Sequence, residues 1–141
     1  MVLIDEVGFH DTTSTAEFLA DGGKQVEIVT PALYAGQDLG PTLDLEMWHS
    51  RARSKGIVIT PNVVVREISG STVTVFNHYS GREWRIEGVD TVVRAAPARA
   101  NDTLYFALKG RVKELYRVGD CVAPRRVGPA ILEGHLAGRS L

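Results

Sequence analysis

The chain has 141 residues, with 16 Lys and Arg against 17 Asp and Glu, a formal net charge of −1 and 44% hydrophobic residues. That balance suits a globular chain with a real core, and it supplies no global field for nucleic acid or an anionic membrane. No apolar run approaches a membrane span, Val2–Ile4 is followed by Asp5-Glu6 rather than a leader pattern, and the lone Cys121 cannot form an internal disulfide. A reducing, cytoplasmic setting is therefore expected.

Val2–Ile4 reads as a buried parallel strand, and Asp5–Thr13 as a polar loop. A helix is expected from about Ser14, where Ser14 and Glu17 have capping-box spacing, and Gly22-Gly23 stops it. Gln25–Val29 is the second strand of a right-handed βαβ unit. Pro41 suits the first turn of the next helix, which carries Leu45, Trp48 and Ala52 on one face and stops at Gly56. Ile57–Thr60 is a third strand. Val63–Ile68, Thr72–Asn77 and Glu83–Glu87 then read as an antiparallel meander, with a hairpin turn through Tyr79-Ser80-Gly81. Thr91–Ala95 is a further strand and Asp102–Leu108 a short helix. Leu115–Val118 is a last strand, before a helix from about Gly128. The order predicts a Rossmann-like, doubly wound α/β sheet with an inserted antiparallel β-meander. Residues 1–114 would form one domain, with its meander at about 57–89, and 115–141 a closing segment.

The ending carries the clearest chemistry. Gly119-Asp120 follows a strand and precedes a helix start at Pro129-Ala130. A carboxylate there accepts hydroxyl hydrogen bonds, and the helix N–H groups and dipole face an anion, as a dinucleotide's ribityl or phosphate groups require. The plainer reading is a strand-end turn capped by Asp120. Cys121 has no C-x-x-C partner and reads as a packing residue. Arg125 and Arg126 would support an anion or solubilise the loop. His10, His49, His78 and His135 show no metal-ligand spacing, and no serine stands in a nucleophile-elbow context. Asp5, Glu6 and Asp11 read as a solvated acidic loop at the C-terminal edge of the sheet, with acid/base work or a cation as the sharper alternative. Trp48 and Trp84 are expected in the core or an interface. No catalytic set and no metal site emerge.

Three stretches resemble a known family: DEVGFHDTTSTAEFLADGGKQVEIVTP, VDTVVRAAPARANDTLYFALKGRVKELYRVGDCVAPR and PAILEGHLAGRSL. They are similar to the C-terminal part of trimethylamine dehydrogenase-like flavoproteins, in the NADH:flavin oxidoreductase and dienoyl-CoA reductase group with dimethylamine and histamine dehydrogenases. The resemblance implies an FAD/NAD(P)-binding-domain-like fold. It also implies a parent oxidoreductase that oxidises an amine with FMN and an iron–sulfur cluster held in a barrel outside this chain. Here the lone Cys121 cannot hold such a cluster. It implies half of an FAD or ADP site, with Gly119, Asp120, Cys121, Pro129 and Ala130 as the cofactor-binding residues. The implied partners are the rest of the parent flavoprotein and an electron-transferring flavoprotein; without its usual sheet neighbours, Leu115–Leu141 is expected either to pack against its own domain's exposed edge or to pair with a second copy of the chain.

Three departures argue against NAD(P). A G-x-G-x-x-G turn lets backbone approach a pyrophosphate, but the turn here reads Asp5-Glu6-Val7-Gly8-Phe9-His10-Asp11. Its carboxylates would repel phosphate, and Phe9 and His10 would obstruct the approach. Thr30-Pro31 stands where the ribose-binding acid is usual, and Ala96-Pro97 replaces the reductases' threonine-glycine crossover. The isolated chain is expected to be inactive. A free-standing ligand- or protein-binding module and a true NAD(P)H-binding reductase domain are the alternatives.

Overall fold

The computed structural model describes residues 1–141. The chain divides into two compact units, Met1–Ala96 and Pro97–Leu141. In the first, strand β1 (Val2–Asp5) leads through a tight turn into helix α1 (His10–Asp21), followed by β2 (Glu27–Val29). A 3-10 turn at Gln37–Thr42 precedes α2 (Leu45–Ser54). The strands β3 (Val58–Thr60), β4 (Val63–Ser69), β5 (Thr72–Asn77), β6 (Glu83–Ile86) and β7 (Val92–Ala95) complete the unit. One parallel sheet has the order β3-β2-β1-β7, and β4-β5-β6 form a separate antiparallel sheet. The α/β sheet with an inserted meander is the architecture that the sequence pattern predicts.

The pattern of side chains explains the layers. All four residues of β1 are buried, because the strand is covered on both faces. Leu3 and Ile28 pack with Ala16, Leu39, Trp48 and Ala52 on the helical side. Their neighbours Val2, Ile4 and Val29 point the other way, onto Val63, Val73 and Val75 of the meander, with Trp84 beside them. The second face of the sheet is therefore closed by the meander. The Trp48 indole N–H also donates to the Thr13 carbonyl at 3.3 Å, which ties α2 to α1.

Two local expectations change. Helix α1 begins at His10, four residues before the expected start. Ser14 makes no capping box: its hydroxyl donates back to the His10 carbonyl, and Glu17 instead receives the Arg51 guanidinium at 2.9 Å. Pro41 does not open α2 but lies inside the 3-10 turn, and Leu43, with φ +63°, separates the two.

The second unit contains helix α3 (Thr103–Leu108), a 3-10 turn at Gly119–Cys121 and helix α4 (Val127–Ser140). Arg117 pairs with Asp102 at 2.6 Å and lies over the rings of Tyr105 and Phe106, which holds the approach to the 3-10 turn against α3. The strand expected at Leu115–Val118 does not form. Val118 is extended (φ −138°, ψ 155°), but a parallel strand exists only as part of a hydrogen-bonded ladder, and this segment has no strand beside it. No helix is long and apolar enough to cross a membrane.

Helices α1 and α2 are joined by exposed ion pairs, Glu17 with Arg51 and Lys55, and Asp21 with Lys55. The Arg51 hydrogen bond holds the Glu17 carboxyl below its ordinary value of 4.5. A lowered folded value means that its contribution is complete above the unfolded value and is lost as pH falls through the folded one. A Glu17/Arg51 double-mutant cycle in urea should give a small favourable coupling at pH 7 that disappears once pH falls through the lowered Glu17 value. Trp48→Ala, which removes the largest fully buried side chain, should cost about 3–5 kcal/mol in the same assay.

Candidate functional site

Each unit carries a turn of the kind that faces a nucleotide. In unit 1 it is the connection from β1 to α1. Asp5 is only 1% exposed and is the last residue of β1, so it does not belong to a solvated loop. Its Oδ1 accepts hydrogen bonds from the Val7 N–H (3.1 Å), the Gly8 N–H (2.7 Å) and the Thr12 hydroxyl (2.6 Å). Gly8 has φ +69°, which lets the two successive N–H groups turn towards one oxygen. The Asp5 Oδ2 is buried without a partner.

The other acidic residues behave differently. Glu6 pairs with Arg94 at 2.8 Å, which ties the turn to β7, and Asp11 is exposed in the first turn of α1. Phe9 does not obstruct the backbone, because it packs against the helical core. His10 is in α1, with its ring against Phe9. Of the three carboxylates, Asp5 is thus the one that occupies the turn itself.

A cleft of about 480 Å³ opens at this edge of the sheet, lined by Leu3, Asp11, Ser14, Thr15 and Arg94 among others. Ser14 and Thr15 spend their hydroxyl protons on the carbonyls of His10 and Asp11, so neither is set up as a nucleophile. No group of His, Cys, Asp and Glu is arranged to hold a metal ion.

In unit 2 the 3-10 turn brings Gly119, Asp120 and the start of α4 together. Gly119 has φ +68°, and a Cβ on it would lie 3.4 Å from the Ala130 Cβ, so turn and helix are in close contact. Glu133, one turn further along α4, accepts the Gly119 N–H at 2.7 Å and also receives the Arg125 guanidinium. Both contacts hold the Glu133 carboxyl below its ordinary value, the Arg125 hydrogen bond most of all. Arg125 closes the ring, its own N–H donating to the Asp120 Oδ1 at 3.3 Å. Asp120 is exposed, with oxygen left to accept a hydroxyl. Pro129, which has no N–H, and Ala130 lie in the first turn of α4, where the N–H groups without helical acceptors are those of Val127 and Gly128. Cys121 turns its thiol to the Val118 carbonyl at 2.9 Å, so it serves the turn.

Gly119, Asp120, Pro129 and Ala130 are thus near one another. Glu133, which locks the turn, was not singled out by spacing, although a Glu one turn into a helix after a Gly-Asp loop is the available signal; Arg125, expected to support an anion or solubilise the loop, pairs with it instead. These residues fit one end of a nucleotide: a carboxylate for hydroxyl groups and a helix start for a phosphate. They do not fit an iron–sulfur cluster.

The parallel β3-β2-β1-β7 sheet with its meander defines the class, the nucleotide-binding-like fold of flavin- and pyridine-nucleotide-dependent oxidoreductases. Thioredoxin reductase of T. acidophilum has the same fold, with a TM-score of 0.70 at 18% identity. More specifically, the chain is similar to a portion of the trimethylamine dehydrogenase-like flavoproteins. Histamine dehydrogenase from Rhizobium sp. 4-9 superposes with a TM-score of 0.91 at 28% identity, over 99% of this chain and 23% of that one. The 6-hydroxypseudooxynicotine amine oxidase of Pseudomonas geniculata N1 gives a TM-score of 0.92 at 26% identity, over 97% and 21%. Among curated proteins, a metal reductase of Desulforamulus reducens is 32% identical over 117 residues, 83% of this chain and 17% of that protein. The N,N-dimethylglycine/sarcosine dehydrogenase of Chromohalobacter salexigens is 27% identical, over 94% and 24%. The chain therefore spans about a fifth of the length of the proteins it matches. No protein-family model matches it.

Replacing Gly119 by Ala forces a side chain into the left-handed region beside Ala130 and should cost about 1–2 kcal/mol, read from thermal unfolding. Glu133→Ala should speed amide exchange at Gly119, measured by NMR, and leave Val7 and Gly8 in unit 1 unchanged.

Proposed function

We propose that this chain is the C-terminal, nucleotide-binding-like part of a larger trimethylamine dehydrogenase-like flavoprotein that oxidises an amine. Residues 1–114 are its NAD(P)-binding-like domain, without a bound dinucleotide. Residues 115–141 close an FAD- or ADP-binding domain whose first half lies elsewhere in the parent. Asp120 accepts hydroxyl hydrogen bonds from the nucleotide, while Gly119, Pro129 and Ala130 bring backbone close to its phosphates. Cys121 holds the turn. The redox chemistry belongs to FMN and an iron–sulfur cluster in the parent's remaining part, and the isolated chain does not turn over. Such a protein works in the cytoplasm. Its partners are the rest of the parent, an electron-transferring flavoprotein and a second copy of the chain.

The observation that carries this reading is the state of α4. Pro129, Ala130, Glu133 and Ala137 form its half-buried face, and the helix buries no residue fully. Apolar side chains continue on both sides of that face, with Val127 and Ile131 exposed on one and Leu132 and Leu136 on the other. The polar side chains are His135 and Arg139 on the outer stripe, with Glu133 and Ser140 on the half-buried side. A helix apolar around most of its circumference is built to sit between layers. Those layers are what the remaining four fifths of a family member would supply. The alternative of a true NAD(P)H-binding domain is opposed by the Asp5 carboxylate in the first turn.

An antibody against the chain should detect, in the source cells, a flavin-containing polypeptide several times longer than 141 residues. A 141-residue band without flavin overturns the proposal and favours a free-standing binding module. In the purified parent, Asp120→Ala should weaken ADP binding by about tenfold, as loss of a charged hydrogen bond implies, measured by calorimetry.

A further inference from the structure

We infer that Asp5 is the specificity determinant of the first βα turn: its carboxylate is a resident anion that holds the phosphate cradle of unit 1 shut. The inference deepens the reading of unit 1 as a nucleotide-binding-like domain that takes no dinucleotide. A strand, a turn with a left-handed glycine and a helix start form a concave array of N–H groups, and such arrays bind oxyanions. Here the array is complete. The Val7 and Gly8 N–H groups and the Thr12 hydroxyl converge on one oxygen at 2.6–3.1 Å, and the Asp38 N–H fixes the Gly8 carbonyl behind them at 2.8 Å.

The cradle has therefore not decayed. It is filled from inside, by a group with the charge and donor requirements of the ligand it displaces. An incoming phosphate must expel a carboxylate tethered at the end of β1, or sit beside it with like charge in a poorly solvated place. Either route is closed to a pyrophosphate. Because Oδ2 has no partner, all of the stabilisation rests on Oδ1. Removing the carboxylate consequently strands three donors, and a small external oxyanion should be able to replace it. The ligand class is a carboxylate or phosphate oxyanion, admitted only when Asp5 is absent.

The test uses the full 141-residue chain and its Asp5→Ala variant. Thermal unfolding is followed in sodium formate and, at equal ionic strength, in sodium chloride. The variant should melt below the unchanged chain and recover by several degrees in formate but not in chloride, while the unchanged chain responds to neither. Calorimetry with inorganic pyrophosphate should show the variant binding at least about tenfold more tightly than the unchanged chain, the worth of a charged hydrogen bond. A folded variant that answers formate and chloride alike overturns the inference, as does an unchanged chain that binds pyrophosphate as tightly as the variant. If the variant does not fold in either salt, amide exchange in the unchanged chain decides. Protection at Val7 and Gly8 supports the inference, and exchange at the rate of an open loop overturns it. All of these readouts concern unit 1 of this chain, so they stand or fall independently of the parent's identity.

Discussion

One buried carboxylate organises the functional half of unit 1. Asp5 ends β1, and its single bonded oxygen gathers the turn and the first turn of α1 into one hydrogen-bonded piece. A fully buried carboxylate is tolerated only when donors compensate it, and three do so here. Its position constrains the rest. It fixes where α1 begins, and so how Ala16 meets Leu3, Ile28 and Trp48 in the core. Glu6 then pairs with Arg94 and bonds through its N–H to the Ala95 carbonyl, so that the turn and β7 form one edge.

Unit 2 follows a comparable logic with a different residue. Glu133 reaches back from α4 to the Gly119 N–H, and Arg125 links that contact to Asp120. The two turns differ in what they leave available. In unit 1 the internal carboxylate is buried and consumes the donors, whereas in unit 2 Asp120 stays exposed and Glu133 accepts the N–H of the left-handed glycine and the Arg125 guanidinium. The first arrangement engages every donor of its turn with an internal oxygen, and the second leaves the Asp120 carboxylate open to solvent.

Much of this was legible in the sequence, and the misses have physical causes. The strands, the meander and both α1 and α2 follow from period and punctuation, because Val-rich runs and the Gly22-Gly23 and Gly56 stops act locally. The Ser14–Glu17 capping box failed because both side chains had better tertiary or intrahelical partners. The strand at Leu115–Val118 failed for a non-local reason: no other strand lies beside it to form a ladder. Acidic residues near the first turn were read as a solvated loop, yet Asp5 is buried at the end of β1. Composition could not reveal that one of them would fold inward and become the ligand.

The placement of the two tryptophans has a practical corollary. Trp48, buried beneath α1 with its indole N–H bonded to a carbonyl, and Trp84, half-buried against the meander core, both belong to Met1–Ala96. The aromatic residues of Pro97–Leu141 are Tyr105, Phe106 and Tyr116. Intrinsic emission excited at the red edge of the absorption band is therefore a window on the first unit alone. The second can melt, dock or rearrange in the dark, visible only through tyrosine or the circular dichroism of α4.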